Sequence, residues 1–210
     1  MTRPKPARPF VLRLAGGFVR AACRRVAPAV LAAALGACAG PSLPPIRTAA
    51  SVDVDRFMGA WYVIGSIPIS VEAAAHNAIE RYRRDADGTI DTLYTYNDGG
   101  CRGPVARHTA RGFVLDGGSG AVWGMQFIWP FKADYRIVYV APDYGATIVG
   151  REKRDYLWIM ARTPTPGEEI YRDLVARSAA EGYDPALIRR VPQPGGGCPA
   201  AAPGDSSGPG

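Results

Sequence analysis

The chain has 210 residues, 47% of them hydrophobic, with 25 Lys or Arg against 19 Asp or Glu, a formal net charge of +6. That is enough apolar material for a packed core and too much for a disordered chain. The cationic excess sits in the first 25 residues, so nucleic-acid binding, which needs a clustered cationic footprint on the folded domain, loses its support.

Seven cations (Arg3, Lys5, Arg8, Arg13, Arg20, Arg24, Arg25) lie in residues 1–25 without a single acid, and an apolar run follows at 26–35. A charged segment and then an apolar one this short is a secretory signal, because a membrane span needs roughly 20 apolar residues. The run ends in Leu35-Gly36-Ala37-Cys38, which resembles the lipobox of bacterial lipoproteins. That resemblance implies cleavage of residues 1–37 and lipidation of Cys38 (diacylglyceryl, with palmitate as a further chain), anchoring the protein in a membrane. Ala39, in place of Asp, favours the outer membrane by the sorting rule of such lipoproteins, with the domain on the periplasmic side. The charged region is long for a signal, which leaves room for a start downstream of Met1. Removing the signal leaves 18 basic against 19 acidic side chains, a net charge near −1.

Residues 38–51 are small and proline-broken and read as a tether. Residues 52–191 have the size of one domain, and 192–210, rich in Gly, Pro and Ser, read as a disordered tail. The domain opens on a helical turn at 54–58 that delivers the chain to Gly59-Ala60-Trp61. A Gly before a Trp lets two backbones approach closely. Beyond it the apolar period is 2 and turn residues recur every ten or so positions, the pattern of an antiparallel barrel or sandwich. Strands are expected at 60–67, 77–83, 89–96, 105–114, 121–129, 134–140, 147–151 and 156–162. Asp87-Gly88 and Asp116-Gly117-Gly118 are hairpin signals, and short connections throughout imply an up-and-down order. At 168–181, Ile170, Leu174 and Val175 share a stripe, acids lead and Gly182 closes, which predicts an amphipathic helix lying on the barrel wall. A last short strand is expected at 187–191. The fold class is therefore all-β, an eight-stranded antiparallel barrel with one C-terminal helix.

Three short segments carry a family resemblance. Gly59-Ala60-Trp61-Tyr62 on the first strand, Pro142-Asp143-Tyr144 between the sixth and seventh, and Arg162 closing the eighth resemble, in order and spacing, the signatures of the lipocalins. The runs RDYLWIMARTPT from Arg154 and GMQFIWPFKADY from Gly124 are similar to the bacterial outer-membrane lipocalins. The resemblance covers residues 52–191. It implies that Arg162 lies across Trp61 as a cation–π contact worth roughly 0.5–2 kcal/mol, and that Gly59, Trp61, Asp143, Tyr144 and Arg162 are structural. By cysteine use alone, Cys101 and Cys198 remain in the mature chain, paired or free; the resemblance implies a disulfide holding the tail to the barrel.

A barrel of eight strands holds one small ligand. Parity places Ala78, Glu80 and Tyr82 on one face of the second strand, Thr92, Tyr94 and Tyr96 on one face of the third, Trp123, Met125, Phe127 and Trp129 on one face of the fifth, and Tyr156, Trp158 and Met160 with Arg162 on the eighth. The expected ligand set is Glu80, Tyr82, Tyr94, Trp123, Met125, Phe127, Tyr139 and Trp158. Such a lumen suits an amphiphilic lipid, a fatty acid or lysophospholipid, although a one-residue slip reverses any strand. A carboxylate there costs several kcal/mol unless bonded or protonated, so Glu80 bonds a Tyr hydroxyl, meets a ligand head group, or faces solvent on a slipped strand. His76 and His108 have no ligand-spaced partners, and no nucleophile, zinc or phosphate-loop motif occurs, so neither a metal nor another cofactor nor a catalytic residue is assigned. A lumen enzyme using Glu80 with Tyr82 or Tyr94, and a ligand-free structural lipoprotein, are the alternatives. The residues do not set the oligomeric state, monomer or homodimer.

Overall fold

Asp53 starts the barrel: in the computed structural model, which describes residues 43–200, its side chain accepts hydrogen bonds from Asp55 N and Arg56 N and caps α1 (Val54–Phe57). Gly59 then turns the chain at a φ of +96°, a conformation that suits a residue without Cβ. It leads into β1 (Gly59–Ile67). Seven strands follow: β2 (Ala75–Arg84), β3 (Ile90–Asp98), β4 (Val105–Val114), β5 (Val122–Ile128), β6 (Phe131–Val140), β7 (Ala146–Gly150) and β8 (Leu157–Ala161). Each pairs antiparallel with its predecessor, and β8 returns to β1, which also pairs β2, so the sheet closes on itself. This is the expected eight-stranded up-and-down barrel. Closure removes the free edges that would otherwise invite aggregation.

Alternation divides the apolar residues between two cores. Trp158 and Met160 of β8 point into the barrel with Trp61, Ile90 and Trp123, while Leu157, Ile159 and Ala161 point outward. The outward set is covered by α2 (Glu168–Ala180), through Tyr171 and Leu174. Both faces of β7 and β8 are consequently buried.

Two expectations at the domain ends are corrected. The tail from residue 192 is ordered as far as the description extends. β1 pairs β2 only from Gly59 to Tyr62, and β9 (Arg189–Arg190) takes over that edge at Gly65 and Ser66. Where the two strands part, the buried Gln193 donates its amide to Val63 O at 2.7 Å and Ala78 O at 2.9 Å, and Asn77 N donates to Pro192 O. The tail thus satisfies carbonyls that the barrel's own ladder leaves open. It continues through β10 (Gln193–Pro194) and β11 (Gly197–Cys198) to a disulfide between Cys198 and Cys101 in the β3–β4 loop. Composition read this segment as disordered because Gly and Pro mark flexibility only where no partner fixes them. Likewise the second half of the tether lies on the barrel: Ile46 is buried, Ala49 N donates to Ile137 O, and the Arg47 side chain pairs with Glu181. The signal segment, Cys38 and residues 201–210 lie outside the described residues.

Candidate functional site

One end of the barrel is plugged. Trp61 is fully buried and donates its indole N–H to Phe57 O at 2.8 Å. The Arg162 guanidinium lies 3.7 Å from the centre of its ring and donates to Ala60 O, Arg56 O and Phe57 O. Arg162 therefore closes the barrel twice over, as a cation on an aromatic face and as the donor for carbonyls at the end of α1. Tyr144, in the β6–β7 turn at a φ of +62°, accepts at its hydroxyl from Asp53 N, and Arg56 stacks over its ring; Asp143 accepts from Gly145 N. The signature residues thus gather at one pole.

Above Trp61 the aromatic plug continues. Phe57, Tyr82, Trp123 and Tyr135 contact one another with ring centroids 5.4–6.4 Å apart, and the Tyr82 and Tyr135 hydroxyls are hydrogen-bonded to each other. Two residues of the expected ligand set, Tyr82 and Trp123, thereby form the floor under the cavity.

The cavity itself has a volume of about 210 Å³ and is bounded by Glu72, Glu80, Thr92, Tyr94, Met125, Tyr156 and Trp158, with Ile69, His108, Phe127 and Arg151 nearer its opening. Tyr94 and Trp158 face each other at 4.9 Å and Tyr156 and Trp158 at 5.3 Å. Of the expected set, Glu80, Tyr94, Met125, Phe127 and Trp158 are brought together here. Phe127, however, is 61% exposed and Trp129 80%. The β5–β6 ladder shifts between Met125 and Ile128, which ends the inward alternation at Met125 and carries Phe127, Ile128, Trp129 and Phe131 to an exposed apolar hairpin tip. Tyr139 is outside altogether. The β6–β7 register shifts between Ile137 and Tyr139, so Tyr135 and Ile137 face the lumen while Tyr139 joins the outer core, its ring under Arg177 of α2. One extra residue in a strand reverses every position after it.

Glu80 is 2% exposed, stands opposite Trp61 in β1 and Tyr94 in β3, and has one carboxyl oxygen, Oε2, with no hydrogen-bond partner. Burial, and secondarily the neighbouring Glu72, hold its carboxyl well above the usual range, which favours the protonated form. Glu72 was not anticipated. It sits on a 3₁₀ turn, Ser70–Glu72, folded over the lumen, where it accepts from the Tyr156 hydroxyl and from Trp158 Nε1 at 3.3 Å. Burial raises its pKa to about 7, against the pull of those two bonds. A loop has no period to show which way a side chain points; the available signal was one acid in the otherwise uncharged stretch from Ile67 to Ala75.

Residues 52–193 match the family model of the Lipocalin-like domain. The chain is 33% identical over 153 residues to temperature-induced lipocalin-1 of Arabidopsis thaliana, covering 68% of this chain and 80% of that one. It is 28% identical over 172 residues to the outer membrane lipoprotein Blc of Escherichia coli K12, covering 81% and 96%. Among solved structures, insecticyanin from the tobacco hornworm Manduca sexta superposes with a TM-score of 0.56 at 15% identity over 75% of this chain and 89% of that one, a likeness of fold. The chain belongs to the lipocalin family, and its similarity within that family runs to the Blc outer-membrane lipoproteins.

Proposed function

We propose that the protein is a lipid-anchored lipocalin of the bacterial envelope, held by Cys38 on the periplasmic side of the outer membrane, that binds a single-chain amphiphile such as a fatty acid or lysophospholipid for storage or transport and performs no chemistry on it. The observation carrying this reading is the cavity, walled by Tyr94, Met125, Tyr156 and Trp158 and open beside Phe127. Apolar area removed from water there contributes roughly 25 cal/mol per Å². At about 210 Å³ the cavity is smaller than the ~300–1,000 Å³ of drug-sized sites, so it encloses part of one chain and leaves the rest at the mouth. The exposed tip, with Ile128, Trp129 and Phe131, supports exchange with a lipid surface, since aromatic side chains favour the membrane interface. The Blc relative's description as an outer membrane lipoprotein supports the location.

Organic extraction of the purified protein followed by mass spectrometry tests the reading. A single-chain lipid should be recovered near one per protein, and added fatty acid or lysophospholipid should quench tryptophan fluorescence through Trp158. A protein that retains no lipid and shows no quenching would be a ligand-free structural barrel.

A further inference from the structure

Of the three carboxyl groups on this cavity's lining, Asp134 is paired with Arg136, while Glu72 and Glu80 have no cation among the described residues. Among the described residues, Glu72 is held only by the Tyr156 hydroxyl and the Trp158 indole, and Glu80 presents an unpartnered Oε2 to the same space. The lining cation, Arg151, stands with its Nε 3.5 Å from an Asp155 carboxyl oxygen but without a hydrogen-bond partner, and among the described residues it forms an ion pair with neither Glu72 nor Glu80. A buried acid without a partner is costly, and a neutral side chain of the same size would serve a closed barrel better. The arrangement makes chemical sense if something positive completes it. The walls favour the same ligand: the rings of Tyr94 and Tyr156 flank Trp158 at 4.9 and 5.3 Å, and aromatic faces attract ammonium groups in desolvated sites. They do not suit a hard metal ion, which takes six or more oxygens. A carboxylate ligand, by contrast, would bring a third acid to the pair.

We propose that the lumen selects amphiphiles bearing an ammonium group, seated between Glu72 and Glu80 against Tyr94, Tyr156 and Trp158, with the alkyl chain running out past Phe127. This rests on the reading that the barrel binds an amphiphile, and narrows it by head group. The bound ammonium would pair with Glu72 and give Glu80 Oε2 the partner it lacks.

The test compares four ligands of one chain length, each below its micelle concentration: dodecylamine, dodecyltrimethylammonium, dodecanol and dodecanoate, titrated by tryptophan fluorescence and calorimetry. The two ammonium ligands should bind about ten-fold or more tighter than the alcohol, and the carboxylate weakest. A primary amine reads the carboxylates as a hydrogen-bond donor, whereas the methylated head reads charge and ring faces alone. Glu80→Gln and Glu72→Gln, both close in shape to the original, should each shrink the ratio of ammonium to alcohol affinity several-fold, with near-ultraviolet circular dichroism confirming the fold. Equal binding of amine and alcohol to the unmodified protein, or an amine advantage that survives both substitutions, overturns the inference while leaving amphiphile binding in place. If none of the four binds, the broader proposal falls with it.

Discussion

Glu72 and Arg162 show how single side chains set the behaviour of the barrel. The Glu72 carboxyl moves from 4.5 to about 7 on folding, so the folded state holds its proton more tightly than the unfolded chain does. The stability this provides is complete below about pH 4.5 and is lost as pH rises through about 7, up to about 3 kcal/mol; Glu80, raised for the same reason, acts in the same direction. Urea denaturation should therefore find the protein more stable at pH 5 than at pH 8, with a smaller difference in Glu72→Gln. A midpoint independent of pH would show that Glu72 reaches solvent. At the opposite pole, Trp61→Ala removes a fully buried indole and should cost roughly 3–5 kcal/mol. Arg162→Ala loses the stack and also a donor to carbonyls of Arg56, Phe57 and Ala60, so the single substitution overstates the cation–π contact. The coupling in a double-mutant cycle isolates it, at about 0.5–2 kcal/mol, and zero coupling would discard it.

Strand β5 and the tail are the elements on which binding and closure depend. Met125 is the last residue of β5 that points into the lumen, and its side chain is almost wholly buried there. Met125→Lys should abolish lipid-dependent quenching, because an ion placed in that space draws in water and occupies the volume of the ligand; binding at the unmodified level would reverse the face assigned to β5. Trp158→Ala should weaken the same binding and leave the barrel folded. The tail is held by Gln193 across the β1–β2 gap and by the Cys101–Cys198 disulfide, 97 residues apart. Cys198→Ser should lower stability by about 2–4 kcal/mol, read as a reduced urea midpoint. Unchanged stability would mean that the hydrogen bonds alone keep the tail in place.

For the molecule as a whole, the proposed function ties attachment to ligand exchange: the proposed anchor at Cys38 precedes the barrel in sequence, and the cavity opens beside an apolar tip at the β5–β6 turn. A single acyl chain anchors only marginally and reversibly, so stable attachment relies on the several chains that lipoproteins of this kind carry. Cys38→Ala should move the protein from the membrane fraction to the soluble one. Intact-mass measurement showing an unmodified N-terminus elsewhere would contradict the anchor.

What the sequence determined by itself was whatever is written locally. Alternation along each strand, Gly and Asp at the turns, and the stripe of Ile170, Leu174 and Val175 behind leading acids are interactions between near neighbours, and from them the eight strands, their order and α2 could be read, although Ile170 is exposed and Tyr171 takes its place against the barrel. The inward positions of Glu80, Tyr94, Met125 and Trp158 followed from parity for the same reason. Tertiary structure decided the rest, because it depends on which distant segments meet. Tyr139 left the lumen when β6 shifted register against β7, Phe127 and Trp129 reached the rim when β5 shifted against β6, and neither shift has a signal in its own strand. Glu72 became part of the site because its turn folds onto Tyr156 and Trp158, 84 and 86 residues away. The Gly-rich tail became ordered because β1 and β2 separate and leave carbonyls that Gln193, 130 residues from Val63, is placed to satisfy: a hydrogen-bonding need of the closed barrel, which no local pattern encodes.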